Sequence, residues 1–178
     1  MVPVMASDGL QELERLVAEN HCQTFLEIGT AIGRTAVRMA ELGLEVTTIE
    51  RDPEFARKAR ENINACGYAN RIRLIEADAR DAEVDGTYDC IFIDAAKAQY
   101  EKFFARYADL LTENGIIVTD NMKFHGLVDH PERTHNRHTR SLIRHLKSYR
   151  QFLEQQTAWE TEFLDDRGDG LAITRRKK

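Results

Sequence analysis

Two short segments of the chain place side chains that bind metal ions directly after apolar stretches. Residues 92–100 read FIDAAKAQY and residues 117–121 read IVTDN, so each begins with a run typical of a buried strand. The ends of neighbouring strands in a parallel sheet meet at one edge, which would bring Asp94, Asp120 and Asn121 together. Three oxygen ligands suit Mg²⁺, which keeps further positions for water or substrate. The spacing therefore predicts a divalent metal site.

Lys97 follows the first of these carboxylates by three residues. This spacing places a basic side chain beside the predicted metal, in the turn or the first helical residues after the strand. A positioned amine can accept a proton from a reacting hydroxyl. Lys97 is therefore the candidate catalytic base. Phe124 and His125, just past the predicted metal ligands, are placed to stack on an acceptor ring.

A second group of residues is typical of a site for a nucleoside-containing cofactor. Residues 27–35 read EIGTAIGRT, in which Gly29 and Gly33 permit a tight turn and close approach of a ligand to the backbone. The spacing differs from the GxGxxG expected for a dinucleotide pyrophosphate, which disfavours an NAD-linked oxidoreductase. Glu50 ends the next predicted strand, where a carboxylate can accept both hydroxyls of a ribose. Asp78 follows the third strand and is placed to accept from an adenine amino group.

The remaining sequence predicts the elements that position these residues. The expected strands are 24–29, 45–50, 71–76, 88–94, 115–119, 157–164 and 170–175, and the expected helices are 7–20, 34–42, 53–65, 99–111 and 136–155. This alternation predicts an α/β fold with a parallel sheet and helices on both faces. The last two strands have no helix between them, which predicts an antiparallel hairpin at one edge.

Length and composition limit the class of protein. The 178 residues correspond to one domain. The three cysteines show no CxxC pair and no zinc spacing, which is typical of reduced thiols in a cytoplasmic protein. The chain contains neither a signal-peptide pattern nor an apolar run long enough to span a membrane. We therefore expect a soluble, cytoplasmic protein with no membrane partner.

The charge of the chain is uneven, although its formal net charge is only -5. Residues 122–150 carry seven Lys or Arg against two acidic residues, together with five of the six histidines. Five of the basic residues follow helical spacing and would form one cationic stripe opposite an apolar face if the helix begins early enough: Arg133, Arg137, Arg140, Arg144 and Lys147. The residues predicted to contact RNA are Arg137, Arg140, Arg144 and Lys147. The stripe is either the solvated face of an amphipathic helix or a surface that contacts the phosphates of RNA.

The motifs EIGTAIG, IDAAKAQY and TDN, in this order, resemble those of a known enzyme family. They are similar to those of the metal-dependent, catechol-type class I S-adenosylmethionine O-methyltransferases. Within that family the chain most resembles the bacterial branch that methylates 5-hydroxyuridine at the wobble position of tRNA. The resemblance extends from about residue 3 to the C-terminus. It implies a Rossmann-like, three-layer fold with a mostly parallel seven-stranded sheet.

The resemblance also implies roles for individual residues. Asp94, Asp120 and Asn121 would bind Mg²⁺ or another divalent cation, and Lys97 would be the catalytic base. The residues implied around S-adenosylmethionine are Glu27, Gly29, Thr30, Gly33, Thr35, Glu50, Asp78, Ala79 and Asp94.

The acceptor stays open between two chemical classes. Catechols carry two vicinal oxygens, and 5-hydroxyuridine does so through O4 and the 5-hydroxyl, so the predicted site suits a small phenolic acceptor as well as tRNA. A non-catalytic RNA-binding protein that keeps the cofactor fold is a further alternative. Members of the family usually have N-terminal helices that help to close the active site and build a homodimer. We expect the single domain of residues 1–178 to lack this extension, which leaves a homodimer as an open alternative.

Overall fold

The computed structural model describes residues 5–178, whose strands form one seven-stranded sheet. In chain order they are β1 Thr24–Ile28, β2 Glu45–Glu50, β3 Ile72–Glu76, β4 Tyr88–Ile93, β5 Leu111–Thr119, β6 Trp159–Leu164 and β7 Leu171–Arg176. Their order in the sheet is β3-β2-β1-β4-β5-β7-β6. The first five strands pair in parallel, whereas β7 is antiparallel to both β5 and β6. The prediction of a mostly parallel sheet with an antiparallel edge hairpin is confirmed.

Helices cover both faces of the sheet and give the fold three layers. They are α1 Ser7–Glu19, α2 Arg34–Glu41, α3 Pro53–Ala65, α4 Tyr100–Tyr107 and α5 Arg137–Glu154. Successive residues of a strand point to opposite faces, so Phe25 joins the core under α1, α2 and α3 while Leu26 joins the core under α4 and α5. No helix among residues 5–178 is long and apolar enough to cross a membrane.

The carboxyl ends of the first five strands meet at one edge of the sheet, which we call the rim. In the register of the sheet, Ile28 at the end of β1 lies beside both Ile49 of β2 and Ile93 of β4. Backbone hydrogen bonds continue past these ends, from Asp94 N–H to the Ile28 carbonyl and from Asp120 N–H to the Ile93 carbonyl, each at 3.0 Å. The residues that follow the strands are therefore held close together.

The predicted helix 99–111 was wrong at its end. The α-helix stops at Tyr107, a 3₁₀ turn spans residues 108–110, and β5 begins at Leu111 rather than at residue 115. The Arg176 guanidinium donates to the carbonyls of Ala108, Leu111 and Thr112, which takes up carbonyl groups at the helix end and the start of β5. The apolar pattern of the sequence continues through residues 110–111, so it did not reveal this boundary.

The basic helix α5 is shorter at its start than the predicted stripe requires. Asn136 caps it by accepting the Thr139 N–H at 3.0 Å, so the helix begins at Arg137. Arg133 lies before this cap in a 3₁₀ turn and is not part of the helix face. The first buried residue of the helix is Ile143, and the preceding Leu142 is half-buried. The four remaining residues of the stripe stay together on α5.

Candidate active site

A cleft of about 570 Å³ opens at the rim of the sheet. It brings together seven of the residues predicted for the cofactor, the metal and catalysis: Gly29, Glu50, Asp78, Ala79, Asp94, Lys97 and Asn121. The other predicted residues of these groups lie outside its lining: Glu27, Thr30, Gly33, Thr35 and Asp120. In the chain, all five lie at or shortly after the end of β1 or β5. The four that have side chains are buried, with at most 8% of their surface exposed. They are therefore placed to support the cleft.

Gly29 forms the floor of the cleft where β1 and β4 end. Its φ angle is +102°, and a Cβ added there would lie 2.0 Å from the carbonyl oxygen of Asp94. Any other residue would force the two strand ends apart. Gly33, with φ +82°, is the left-handed N-cap of α2 and starts the helix that carries the buried Thr35. The glycine at position 29 thus allows the end of β1 to lie against Asp94, the first predicted metal ligand.

Glu50 is fixed by the backbone around it. One carboxylate oxygen accepts the Ala31 N–H at 2.8 Å and the other accepts the Asp52 N–H at 2.9 Å. Each carboxylate oxygen has two lone pairs, so both can still accept from a ligand. This arrangement suits the two hydroxyls of a ribose.

Glu27 lies beneath the cleft in a chain of buried side chains. The Thr48 hydroxyl donates to Glu27 Oε2 at 2.6 Å, and the Thr30 and Thr48 hydroxyl oxygens are 2.5 Å apart. Burial raises the pKa of Glu27 to about 8, and the negative charges of Asp94 and Glu50 add to the rise. Glu27 therefore carries a proton at neutral pH and is linked through Thr48 to Thr30 of the glycine turn.

Replacing Glu27 by glutamine is expected to flatten the pH dependence of stability. The pKa of Glu27 is about 8 in the folded protein against an ordinary value of 4.5, so the unfolded chain loses this proton first as pH rises. Its contribution to the free energy of unfolding is complete below pH 4.5 and is lost as pH rises to 8, at up to about 1.4 kcal/mol per pH unit. Urea titrations of the cofactor-free protein from pH 5 to pH 8 measure the slope.

The matched control for this titration is Glu113→Gln, which changes an exposed glutamate in the same way. It should keep the wild-type slope. Equal slopes for Glu27→Gln and the wild type would show that Glu27 is ionised in the folded protein across this range.

Asp78 and Arg80 both line the cleft and are paired with each other. The Arg80 guanidinium and the Arg80 backbone N–H donate to its carboxylate at 2.8 to 3.0 Å and lower the pKa of Asp78 to about 2. The neighbouring Ala79 is buried, and its carbonyl accepts the Tyr107 hydroxyl at 2.5 Å. Asp78 is thus a fixed anion whose remaining lone pairs can accept from an amino group.

The three predicted metal ligands lie together at the ends of β4 and β5. The Asn121 side-chain amide donates to Asp94 Oδ1 at 2.9 Å, and the Asn121 backbone N–H donates to Asp120 Oδ1 at 2.7 Å. The Tyr100 hydroxyl donates to the Asp120 carbonyl at 3.2 Å and holds this turn in place. Burial raises the pKa of Asp94 and of Asp120, and the charge of Asp94 adds to the rise at Asp120.

This group of side chains fits a divalent cation. It offers the hard oxygen donors that Mg²⁺ prefers, and two buried carboxylates side by side are costly without a positive charge. Within residues 5–178, no three His, Cys, Asp or Glu side chains are arranged to hold a metal. A cation at the rim would therefore depend on the Asn121 amide oxygen, which requires this amide to turn, and on oxygens from water or the acceptor.

Lys97 begins the 3₁₀ turn of residues 97–99 and lines the same cleft as Asp94 and Asn121. Its Nζ lies 5.2 Å from the centre of the Phe124 ring. His125 lines the same cleft. The predicted base and the two predicted stacking residues are thus brought together on one side of the site. We call it the acceptor side, because the sequence predicts that these residues contact the acceptor.

The sequence did not reveal Asp169, which lies on this side of the site in the loop before β7. Its Oδ1 accepts the backbone N–H of His125 at 2.5 Å. The two residues are 44 positions apart, so no local pattern could pair them. The only sequence signal was a charged residue next to a glycine directly before a strand.

The basic face of α5 lies outside the cleft. Arg137, Arg140, Arg144 and Lys147 line a separate hollow of about 500 Å³ together with Pro131 and Ile143. All four basic side chains are exposed. The helix packs against the turn 97–99, which carries Lys97. The structure thus leaves the stripe free and beside the cleft, and its contact with RNA stays a prediction.

The fold and the rim together define the class of the protein. The strand order, the single antiparallel strand β7 inserted beside β5, and the glycine turn after β1 are those of a Rossmann-like class I methyltransferase fold. The chain belongs to the O-methyltransferase family, whose model matches residues 2–177.

Individual relatives agree with this family. A crystal structure of a candidate caffeoyl-CoA O-methyltransferase from Staphylococcus aureus has 36% identity and a TM-score of 0.94, covering 99% of this chain and 86% of that one. The Podospora anserina methyltransferase PaMTH1, bound to SAH, has 26% identity and a TM-score of 0.86, covering 95% and 78%. Catechol O-methyltransferase B of Danio rerio is 29% identical over 136 residues, which are 70% of this chain and 52% of the relative. The chain thus spans about half the length of the curated relatives it matches.

Proposed function

We propose that the protein transfers a methyl group from S-adenosylmethionine to a hydroxyl of an acceptor with two vicinal oxygens, assisted by a divalent cation. One observation carries the proposal: Asp94 contacts both the glycine turn after β1 and the predicted metal ligand Asn121. Its carbonyl touches the glycine turn at Gly29, while its carboxylate contacts Asn121. A donor bound along the first strand ends and an acceptor bound at the metal residues would therefore meet in one cavity. The SAH found in PaMTH1 supports the choice of cofactor.

The predicted site residues have separate roles in this proposed reaction. Glu50 would accept the ribose hydroxyls and Asp78 the adenine amino group, which aligns the sulfonium with the acceptor. Asp94, Asp120 and Asn121 would hold a divalent cation, which would supply Lewis-acid polarisation of the acceptor and so lower the pKa of its hydroxyl. Lys97 accepts the proton of that hydroxyl, and the methyl group passes to the oxygen while the sulfonium becomes a thioether.

Orientation supplies a large part of the rate in such a transfer. Holding two reactants in line contributes up to about 7 to 11 kcal/mol of barrier reduction in favourable cases. The fixed carboxylate of Glu50 and the tight contact at Gly29 provide this rigidity here.

For the acceptor, we propose 5-hydroxyuridine at the wobble position of tRNA. The support comes from the free cationic face of α5. Within residues 5–178 its four basic residues have no salt-bridge partner, whereas Lys123 and Arg150 in the same region pair with Asp129 and Asp165. The helix also starts at the rim, because it follows β5 and leads to the start of β6, which runs parallel to β5. A phosphate backbone could follow this face into the cleft.

The acceptor is tested by mass spectrometry of tRNA nucleosides from a strain of the source organism that lacks the gene. We expect unmethylated 5-hydroxyuridine to accumulate and methylation to return with the wild-type gene but not with an Asp120→Ala copy. Unchanged tRNA nucleosides in the deletion strain would contradict the tRNA proposal.

A small catechol is the second candidate acceptor, and the relative from Danio rerio, a catechol O-methyltransferase, favours it. A basic face without a role in RNA binding would be a solvated helix surface. The two candidates differ in how they respond to loss of that face.

Replacing Arg137, Arg140 and Arg144 by alanine is expected to weaken tRNA binding and to flatten its salt dependence. Each phosphate contact to a single strand contributes about -0.7 to the slope of log affinity against log salt, so three lost contacts reduce the slope by about two. Filter binding across a salt series measures both quantities. Methylation of a small catechol by the same variant should be unchanged, because the cleft is intact.

The matched control is Arg15→Ala, Arg38→Ala and Arg71→Ala, which removes the same charge elsewhere on the molecule. Arg15 and Arg38 belong to α1 and α2, on the opposite face of the sheet, and Arg71 precedes β3. The control should keep the wild-type salt slope. If both triple variants bind tRNA alike, the stripe is a solvated face and the catechol becomes the better candidate.

A further inference from the structure

The segment that follows the metal residues has a strained backbone. Phe124 and His125 have φ angles of +48° and +56°, and Gly126 follows at +76°. Residues with a Cβ rarely adopt this left-handed region, and a consecutive pair persists only where neighbouring groups hold it. The fold must therefore contain a specific restraint on residues 124–125.

The loop before β7 supplies that restraint. The Asp169 side chain accepts the His125 N–H at 2.5 Å, and the Asp169 carbonyl accepts the Lys123 N–H at 2.8 Å. The next carbonyl, of Gly170, accepts the Met122 N–H at 3.0 Å. A Cβ at Gly170 would lie 2.5 Å from Lys123 Cγ, so the two loops are in close contact. Of these three hydrogen bonds, only the one that the His125 N–H donates to Asp169 Oδ1 involves the strained pair. Within the turn itself, the Leu127 N–H donates to the Phe124 carbonyl at 3.0 Å.

The restrained segment lies on the acceptor side of the cleft, where His125 is part of the lining and Phe124 contacts Lys97; we call these two residues the aromatic wall. The Phe124 ring lies 5.2 Å from Lys97 Nζ, and His125 lines the cleft. A change in the backbone at 124–125 would move the ring that packs against the proposed base. The position of this wall therefore affects the acceptor more than the cofactor.

The side chain of Asp169 is also largely buried, although the residue lies in a loop. Its side chain is 16% exposed, and its second oxygen, Oδ2, is buried with no hydrogen-bond partner among the described residues. The nearest basic atom is His125 Nδ1, at 3.5 Å. A buried carboxylate oxygen without a partner is rare in folded proteins and calls for an explanation, such as local strain, a catalytic role or a bound water or ion. Here the carboxylate faces the residue whose backbone it holds.

On the basis of the proposed function, we infer that Asp169 is a positioning residue. Its hydrogen bond to the His125 N–H holds residues 124–125 in their strained conformation and so places the aromatic wall against Lys97. Asp169 acts through this wall and has no part in the transfer of the methyl group or the proton.

The test compares Asp169→Ala with Asp169→Asn. The amide of asparagine still offers an oxygen to the His125 N–H, whereas alanine removes the acceptor. The assays use a tRNA that carries 5-hydroxyuridine and a small catechol as acceptors. We expect Asp169→Ala to raise the KM for the acceptor that is methylated and to lower kcat/KM by about 10- to 100-fold, as for loss of a hydrogen bond to a charged group. Asp169→Asn should restore most of this loss, and binding of S-adenosylmethionine should be unchanged in both variants. An alanine variant with wild-type acceptor KM, or an asparagine variant as impaired as alanine, would overturn the inference.

A readout without catalysis separates this inference from the proposed function. Hydrogen exchange of the His125 amide should be slow in the wild type and in Asp169→Asn and fast in Asp169→Ala. Fast exchange in the wild type would overturn the inference even if the enzyme methylates its acceptor. Absence of methyl transfer by the wild type would instead overturn the proposed function. Should Asp169→Ala not fold, Asp169→Glu carries the test, because it keeps the charge but displaces the carboxylate from the His125 N–H.

Discussion

Replacing Asp120 by alanine is expected to lower metal-dependent methyl transfer by about 10³-fold, because a cation that polarises the acceptor is worth several kcal/mol. The side chain is 2% exposed, accepts the Asn121 backbone N–H and is not part of the lining of the cleft. Calorimetry should therefore find binding of S-adenosylmethionine nearly unchanged. The two measurements together separate loss of the metal from loss of the cofactor.

The control for Asp120 is Asp109→Ala, which removes an exposed carboxylate from the turn before β5. It should keep wild-type turnover. Full activity of Asp120→Ala, or of the wild type in excess chelator, would contradict the metal mechanism.

Replacing Lys97 by methionine is expected to lower kcat by about 10²- to 10⁴-fold, the usual contribution of a positioned acid or base. Methionine has a similar length and keeps the contact with Phe124, so the KM for the acceptor should change little. Activity should recover in part as pH rises, because more of the acceptor is then ionised without help. Steady-state kinetics from pH 6 to pH 9 measure these effects.

Lys102→Met is the matched control, since Lys102 lies exposed on α4 shortly after the turn that carries Lys97. Its kcat and pH profile should be those of the wild type. A large rise in acceptor KM with unchanged kcat in Lys97→Met would assign Lys97 to binding and not to proton transfer.

The position of Asp94, Asp120 and Asn121 could be predicted because it depends on topology. Each follows an apolar run, and neighbouring parallel strands must end at one edge. The same rule placed Gly29, Glu50 and Asp78 around one cleft. Strand ends are therefore the part of this site that sequence patterns describe well.

Contacts between distant loops could not be predicted in this way. Asp169 and His125 are 44 positions apart in the chain, so no local pattern pairs them. The left-handed φ angles at 124–125 are not indicated by the residue types there. The extent of the basic stripe depended on where the helix begins. The Asn136 cap excludes Arg133 from α5, although the helical spacing of the basic residues includes it. Helix caps and loop contacts override periodicity at such boundaries.

The most direct test of the account is transfer of label from methyl-labelled S-adenosylmethionine, with chelator and then with added Mg²⁺. The purified protein is offered a small catechol and a tRNA that carries 5-hydroxyuridine. We predict labelled product on a hydroxyl oxygen of at least one acceptor, its loss in excess chelator, and its return with Mg²⁺. Failure to label either acceptor with Mg²⁺ present, or labelling that persists unchanged in chelator, would contradict the account.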